Sequence, residues 1–93
     1  MVNYFLTLHL HPSIPSDDLI LKGKVTDEMT LLEGVLFLLN RNKSVSDLLI
    51  LNGDIRPGYL LISEKIELRT TKKLFNKIGS NLEIKIIPIS HGG

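Results

Sequence analysis

The residues best suited to chemistry lie at the C-terminus, where the sequence ends Ser90-His91-Gly92-Gly93. Glycine has no Cβ, so other groups can approach its backbone closely and it adopts almost any backbone conformation. A terminal Gly-Gly therefore suits a carboxylate, on Gly93, that is threaded through a narrow slot of another protein, with His91 and Gly92 in the slot. The alternative is an ordinary frayed terminus, in which His91 is only a solvated spacer.

Composition limits the chemistry available to the rest of the chain. The 93 residues include no cysteine, which excludes disulfides, thiolate zinc sites and a cysteine nucleophile. The three histidines lack metal-ligand spacing with acidic neighbours. The sequence contains no recognisable nucleophile–base pair and no phosphate-binding loop. We therefore expect a protein that is not an enzyme and that holds neither a metal nor a cofactor.

Charge and hydropathy narrow the classes of partner. Eleven basic residues against ten acidic ones give a net charge of +1, so direct nucleic-acid binding is not expected. Apolar runs fall short of the roughly 18 residues that a membrane helix needs, and the N-terminus does not have the pattern of a signal peptide. We expect one soluble, cytoplasmic domain with no membrane partner.

Alternating apolar residues predict strands at both ends of the chain. Val2–Leu10 alternates, and Asp18–Val25 alternates again after a turn with two prolines, which predicts a hairpin. Leu82–Ile87 is the last predicted strand. Pro88 is expected to stop its pairing, because proline has no N–H to give a sheet ladder.

The main helix is predicted to begin at a capping box formed by Thr30 and Glu33. Gly34 inside this helix indicates either a close contact or a tolerated weakness. Apolar residues at helical spacing predict the core-facing side. That side is expected to comprise Leu32, Val35, Leu36 and Leu39, widened by Phe37 and Leu38.

Shorter elements are predicted between the helix and the last strand. Ser44–Leu51 fits either a strand or a helical turn, while Arg56-Pro57-Gly58 has proline and glycine where a type II turn requires them. Strands are expected at Tyr59–Ile62 and Ile66–Arg69, and one helical turn within Thr71–Ile78.

This order of elements predicts an α+β protein, with one helix layered on a sheet. The compact arrangement is a β-grasp, in which a mixed sheet of about five strands curls around one main helix. The first and last strands are then parallel neighbours. Residues 1–89 are expected to form this domain, and residues 90–93 a flexible tail.

A central segment and the tail resemble the ubiquitin-related modifier family. Leu49–Leu68, reading LILNGDIRPGYLLISEKIEL, is similar to the family's central signature, and Ser90–Gly93 resembles its His-Gly-Gly ending. The Arg56-Pro57-Gly58 turn followed by a Leu/Ile strand is the most specific part. The sequence departs from the family pattern at two positions: Ser63 stands where the family usually has asparagine, and Ile66 where it usually has tryptophan. These differences bear on which subgroup of the family the chain resembles.

The resemblance implies a sulfur carrier that is also attached to other proteins. An adenylating enzyme would use ATP to activate the Gly93 carboxylate, and a persulfide of a rhodanese-like donor would convert it to a thiocarboxylate. A tRNA thiolation enzyme would then pass the sulfur to a wobble uridine. Attack by a lysine of a target protein would instead give an isopeptide bond.

Two other functions remain open at this point. One is the small sulfur-carrier subunit of molybdopterin synthase, which uses the same chemistry with a different partner. The Arg56-Pro57-Gly58 turn and His91 argue against it. The other is a ubiquitin-like docking module whose C-terminal carboxylate is never activated.

A docking surface is predicted beside the tail. On the last strand the residues that face away from the core become apolar toward the C-terminus, ending in Ile87 and Ile89. If the first strand lies alongside, Phe5 is on the same outer face. Exposed apolar patches mark interaction sites, so we predict a patch of Phe5, Ile87 and Ile89 with Tyr59 or Leu61. Alternatively, loops or a second copy of the chain cover this face.

Overall fold

A computed structural model describes residues 1–89, so the predicted tail, 90–93, lies outside the described residues. Two α-helices and a 3₁₀ turn accompany the strands: α1 (Leu31–Leu39), α2 (Lys43–Leu49) and the 3₁₀ turn (Lys73–Phe75). The strands are β1 (Asn3–Leu10), β2 (Ile20–Thr26), β3 (Ile50–Leu51), β4 (Asp54–Ile55), β5 (Tyr59–Ser63), β6 (Ile66–Glu67) and β7 (Leu82–Pro88).

Five strands form one mixed sheet in the order β2-β1-β7-β5-β6, and β3 and β4 form a separate small hairpin. The first and last strands pair in parallel at the centre, whereas the other neighbours in the sheet are antiparallel. Helix α1 contacts β1 and β2 across one face of the sheet. The predicted β-grasp arrangement is therefore confirmed.

The central pair of strands supplies the middle of the core. Alternate residues of β1, from Leu6 to Leu10, face α1 and are almost fully buried, as are Ile84 and Ile86 of β7. Burying an aliphatic side chain of this size stabilises a fold by about 1.5–3 kcal/mol. Because these side chains occupy both central strands, the core fixes the position of β7 relative to β1.

Helix α1 begins as predicted, at a reciprocal capping box. The Glu33 backbone N–H donates to Thr30 Oγ1 at 3.1 Å, and the Thr30 N–H donates to Glu33 Oε1 at 3.0 Å. Gly34 marks a close contact, because a Cβ there would lie 2.9 Å from Ile78 Cδ1 and 3.2 Å from Leu6 Cδ2. The glycine therefore lets α1 approach the sheet.

The buried face of α1 differs in part from the predicted one. Phe37 was expected in the core, but it is 44% exposed. Its ring lies 4.9 Å from the Arg41 guanidinium carbon, in cation–π geometry. The stripe that faces the sheet includes Leu31 and Gly34, whereas Leu32 and Leu36 are only partly buried. That buried stripe comprises Leu31, Gly34, Val35, Leu38 and Leu39.

The ambiguous segment Ser44–Leu51 contains both of the predicted alternatives. Asn42 caps α2 by accepting a hydrogen bond from the Val45 N–H at 3.4 Å, and the chain then becomes extended at Ile50. The β3–β4 hairpin closes through Asn52-Gly53, both with positive φ. Seven helical residues, Lys43–Leu49, are therefore followed directly by two strand residues, Ile50–Leu51.

Pro88 does not stop the pairing of β7, contrary to the prediction. It lies opposite Tyr59, and the Ile89 N–H still donates to the Gly58 carbonyl oxygen at 2.7 Å. In an antiparallel ladder the hydrogen-bonded residues alternate. Bonding to β5 through Ile89 therefore places the Pro88 nitrogen on the β1 side. The missing N–H ends the ladder toward β1 and leaves the ladder toward β5 intact.

The hairpin between β5 and β6 turns through only two residues, Glu64 and Lys65. Both have positive φ, 51° and 67°, although neither is glycine. Two-residue hairpin turns of this kind favour Asn-Gly, because a Cβ is disfavoured in the left-handed region. The backbone of this turn is therefore strained, and Asn-Gly at these two positions would relieve the strain.

We predict that Glu64→Asn with Lys65→Gly raises the free energy of unfolding by about 1 kcal/mol, because the introduced asparagine and glycine both suit the left-handed region. Urea denaturation followed by circular dichroism measures the change. As a matched control, Glu28→Asn with Lys43→Gly also changes a glutamate and a lysine, and it should not stabilise the protein. An unchanged or lower stability of the turn variant would contradict the strain.

Candidate functional site

The chain leaves the sheet at the C-terminal end of β7, between the end of β1 and the beginning of β5. The His11 N–H donates to the Ile86 carbonyl oxygen at 3.0 Å, and Ile89 is bonded to Gly58 on the other side. Backbone hydrogen bonds therefore hold β7 on both sides up to its last residues. The chain is fixed until the point at which the predicted tail begins.

The Arg56-Pro57-Gly58 turn borders this point. Gly58 has a φ of +100°, as the predicted type II turn requires of its third residue. The Arg69 guanidinium donates from Nη1 to the Arg56 carbonyl oxygen and from Nη2 to the Ile55 carbonyl oxygen, both at 2.9 Å. One arginine thus ties this turn to the segment that follows β6.

Arg69 was not singled out in the sequence. Its role depends on two carbonyl oxygens 13 and 14 residues away in the chain. Spacing along the sequence carries no signal for such a contact. The structure therefore adds a residue that shapes the site without being part of the predicted motif.

Glu67 holds the neighbouring backbone in place. Its carboxylate accepts hydrogen bonds from the backbone N–H groups of Leu61 at 3.1 Å, Arg69 at 3.0 Å and Thr70 at 2.7 Å. Burial by itself would raise the pKa of Glu67, but these hydrogen bonds together lower it below its ordinary value. The ionised carboxylate thus organises the region between β5 and Arg69.

An apolar surface lies beside the end of β7, on the face of the sheet away from α1. Leu60 of β5 lies directly opposite Ile87, and both side chains are half-buried. Ile89, two residues further on, is 41% exposed. We name these three residues the exit surface. Leu60 was missed in the sequence because the alternation of β5 was assigned one residue out of phase.

Phe5 belongs to the outer face, but it lies at the other end of the sheet. In the parallel register Leu6 is opposite Leu82 and Leu10 is opposite Ile86. Phe5 therefore lies beside the start of β7, where its N–H donates to Asn81 Oδ1 at 2.8 Å. Six to eight residues of strand, about 20–26 Å, separate it from Ile87 and Ile89 of the exit surface. The predicted grouping of Phe5 with Ile87 and Ile89 is wrong.

The two β5 residues in the predicted patch face the opposite way. Leu61 is fully buried in the core and lies opposite buried Ile86. Tyr59, two residues earlier, is on the same side and packs in part against the core. Because neighbouring strand residues point to opposite faces, Leu60 occupies the position on the outer face that was assigned to them.

The predicted reactive residues Gly93, Gly92 and His91 lie outside the described residues. Within residues 1–89, no cluster of His, Cys, Asp and Glu side chains could hold a metal ion. His9 Nε2 and Glu83 Oε1 lie within hydrogen-bonding distance, 2.7 Å, on the outer face. None of the helices in residues 1–89 is long and apolar enough to span a membrane.

We predict that Glu67→Gln lowers the free energy of unfolding by about 1–2 kcal/mol at pH 7, because charge-assisted hydrogen bonds to backbone N–H groups are weakened. Because folding lowers the pKa of Glu67, its ionised carboxylate stabilises the folded wild type. This contribution is fully present at pH values above the ordinary glutamate pKa, and it is lost as the pH falls through the lower pKa of the folded state.

Urea denaturation at pH 7 and at pH 3 tests this dependence, with the exposed Glu28→Gln as the control. The difference between wild type and Glu67→Gln should be largest at pH 7 and should shrink at pH 3. A difference that is the same at both pH values would contradict the role of the ionised carboxylate.

Comparison with known proteins supports the fold. No protein-family model and no curated protein matches the sequence. Among solved structures, SAMP1 from Haloferax volcanii superposes with a TM-score of 0.78 at 11% identity, covering 96% of this chain and 99% of that one. Urm1 from Trypanosoma brucei gives 0.72 at 20% identity, covering 98% and 97%.

The small archaeal modifier protein 1 from Methanosarcina acetivorans gives a TM-score of 0.69 at 14% identity over the whole of both chains. Likeness at such low identities concerns the fold, because one fold serves many functions. The likeness extends over almost the entire chain in each case. Together with the sheet order and the helix across it, it shows that this chain has the β-grasp, ubiquitin-like fold.

Proposed function

We propose that the chain is a ubiquitin-like sulfur carrier and protein modifier that reacts through the carboxylate of Gly93. The observation that carries the proposal is the fixed end of β7, held by His11 and Gly58 just before the Gly-Gly ending. The fold supports the proposal, since one structural neighbour is named Urm1 and another is named a small archaeal modifier protein. The protein would be a co-substrate of an enzyme rather than an enzyme.

The chemistry follows from the weak electrophilicity of a carboxylate. On an adenylating enzyme the Gly93 carboxylate would attack the α-phosphorus of ATP, releasing pyrophosphate and forming an acyl adenylate. A persulfide sulfur of a rhodanese-like donor would displace AMP, and a thiol would then cleave the S–S bond to leave the thiocarboxylate. With no cysteine in the chain, the sulfur is carried on Gly93 itself.

The thiocarboxylate sulfur would pass to a tRNA thiolation enzyme, acting on a wobble uridine. A lysine amine of a target protein attacking the activated carbonyl would instead give an isopeptide bond. Both routes need only a free, unhindered acyl end. They are consistent with a cytoplasmic protein that contacts enzymes rather than nucleic acid.

The exit surface would bind the adenylating enzyme. Leu60, Ile87 and Ile89 lie next to the point where the tail begins, so a partner that contacts them is placed to receive the tail. Half-buried aliphatic side chains at the centre of an interface add binding energy when water is excluded around them. Because the end of β7 is fixed, the point at which the tail begins would stay at a constant distance from this contact.

The intact mass of the protein purified from its native cell tests the proposal, with the C-terminal fragment isolated. A mass increase equal to replacement of one oxygen by sulfur on Gly93 establishes the carrier. Gly93 joined to a lysine of another protein establishes the modifier. A plain carboxylate under all growth conditions would instead favour a docking module with no activated carboxylate.

We predict that Gly92→Ala leaves the fold intact and slows adenylation by about tenfold or more, because a Cβ obstructs a tail threaded through a narrow slot. ATP–pyrophosphate exchange with the native adenylating enzyme measures the rate. Ser90→Ala is the matched control, because it changes a nearby tail residue without adding a Cβ. Unchanged exchange kinetics for Gly92→Ala would contradict threading.

We predict that Ile87→Asp raises KM for the carrier in the same assay by about tenfold, because it places a charge within the exit surface. Phe5→Asp is the matched control: it adds the same charge to the same face of the sheet, at its far end. Equal effects of the two variants would contradict docking at the exit surface. Leu60→Asp serves as a second variant if Ile87→Asp fails to fold in circular dichroism.

A further inference from the structure

A second surface, distant from the exit surface, lies along the free edge of the sheet. Strand β2 has a strand neighbour on one side only within the described part of the chain. It is seven residues long, whereas β6 at the other edge of the sheet has two. An edge strand of this length presents, on its free side, a row of backbone donors and acceptors to any chain that can lie beside it.

The register identifies which backbone groups point outward. The Leu10 N–H donates to the Leu19 carbonyl oxygen at 2.7 Å, and hydrogen-bonded residues alternate along an antiparallel pair. Leu21 and Gly23 are therefore bonded to β1. The N–H and C=O groups of the alternate residues, Ile20, Lys22 and Lys24, point away from the sheet.

The charge of this edge is positive at its centre. Lys22 and Lys24 are exposed on the outer face, and the Lys22 ammonium lies 5.2 Å from the centre of the Phe5 ring. On the helix side, Arg41 Nη1 lies 2.8 Å from the position that a Gly23 Cβ would occupy. Three cations thus surround the middle of β2.

Acidic residues are confined to the two ends of this strand. Asp17 and Asp18 precede it, and Asp27 and Glu28 follow it. A complementary segment therefore carries its acidic residues near its middle rather than along its whole length. Like charges disfavour pairing between two copies of β2, so the lysines favour an acidic strand over the same strand of a second chain.

Exposed apolar side chains flank these cations on both faces. Ile20 is 59% exposed at the start of the strand, and Phe5 is 48% exposed on the outer face. Phe37, under Arg41, is 44% exposed on the helix side. A strand added to β2 would place its side chains alternately on these two faces. Apolar residues would meet Phe37 and acidic residues would meet the two lysines.

We propose that β2 binds an extended segment of a protein partner, with acidic residues alternating with apolar ones, by adding it as a sixth strand of the sheet. Main-chain hydrogen bonds give the affinity in this mode of recognition, and alternate side chains give the specificity. The surface is separate from the exit surface, because β1 lies between β2 and Ile87, and both β1 and β7 lie between β2 and Leu60.

The probe is the capped peptide acetyl-Thr-Val-Glu-Val-Glu-Val-Ile-amide, titrated into the full-length, ¹⁵N-labelled protein. We expect the amide signals of Ile20, Lys22 and Lys24 to shift and their hydrogen exchange to slow. The same peptide with lysine in place of glutamate should bind at least about tenfold more weakly. Shifts that map to the exit surface, or equal binding of both peptides, would overturn the proposal.

Two variants of one residue separate backbone addition from charge. Lys22→Ala and Lys22→Pro lose the same charge, but only the proline removes the outward N–H, and it leaves the bonds to β1 in place. Lys22→Pro should weaken binding at least about tenfold relative to Lys22→Ala. Equal binding of the two variants would overturn strand addition.

If Lys22→Pro does not fold, a peptide N-methylated at the N–H groups that face β2 replaces it. It should bind at least about tenfold more weakly than the unmethylated peptide, and equal affinity would overturn the proposal. Lys43→Glu with Lys73→Glu is the control for charge away from the edge, and it should leave the affinity within about twofold.

Two other occupants would each overturn the proposal. Dimerisation of the free protein, with the same three amides protected in the absence of peptide, would assign the edge to a second copy. A single-stranded oligonucleotide that binds Lys22 and Lys24 as tightly as the peptide does, with no difference between Lys22→Ala and Lys22→Pro, would assign it to a nucleic acid.

Discussion

The parallel pairing of β1 with β7 is the constraint on which the rest of the structure depends. It joins the two ends of the chain at the centre of the sheet, where Leu8 and Ile84 lie opposite each other and are fully buried. A parallel pair needs a long crossover, and here everything from β2 to the 3₁₀ turn forms it. The chain therefore reaches its C-terminal end from a strand in the middle of the sheet that is paired on both sides.

The same pairing gives the outer face of the sheet two different ends. Because β1 and β7 run in the same direction, the beginning of the chain lies beside the beginning of β7. Phe5 and the basic edge are thus near that end, while Ile87 and Ile89 are at the other. The direction of one strand pair decides which apolar residues can act together beside the tail.

Sequence patterns predicted the parts of the fold that depend on local chemistry. The capping box at Thr30 and the turn at Gly58 each follow from what one residue type can do, and the close approach at Gly34 is one of the two alternatives that its glycine indicated. Sequence patterns could not predict contacts between residues that are distant in the chain. Arg69 binds carbonyl oxygens distant in sequence, and Leu60 joins the exit surface only once the register of β5 against β7 is known.

The position of β7 in the middle of the sheet also keeps the two proposed surfaces apart. Neighbouring strands lie about 4.8 Å apart, so β2 and β5 are separated by three such spacings, with β1 and β7 between them. A strand added beyond β2 lies further still from Leu60 and Ile87. A partner held at the basic edge would therefore leave the exit surface open, and the proposed adenylating enzyme could bind the same domain at the same time.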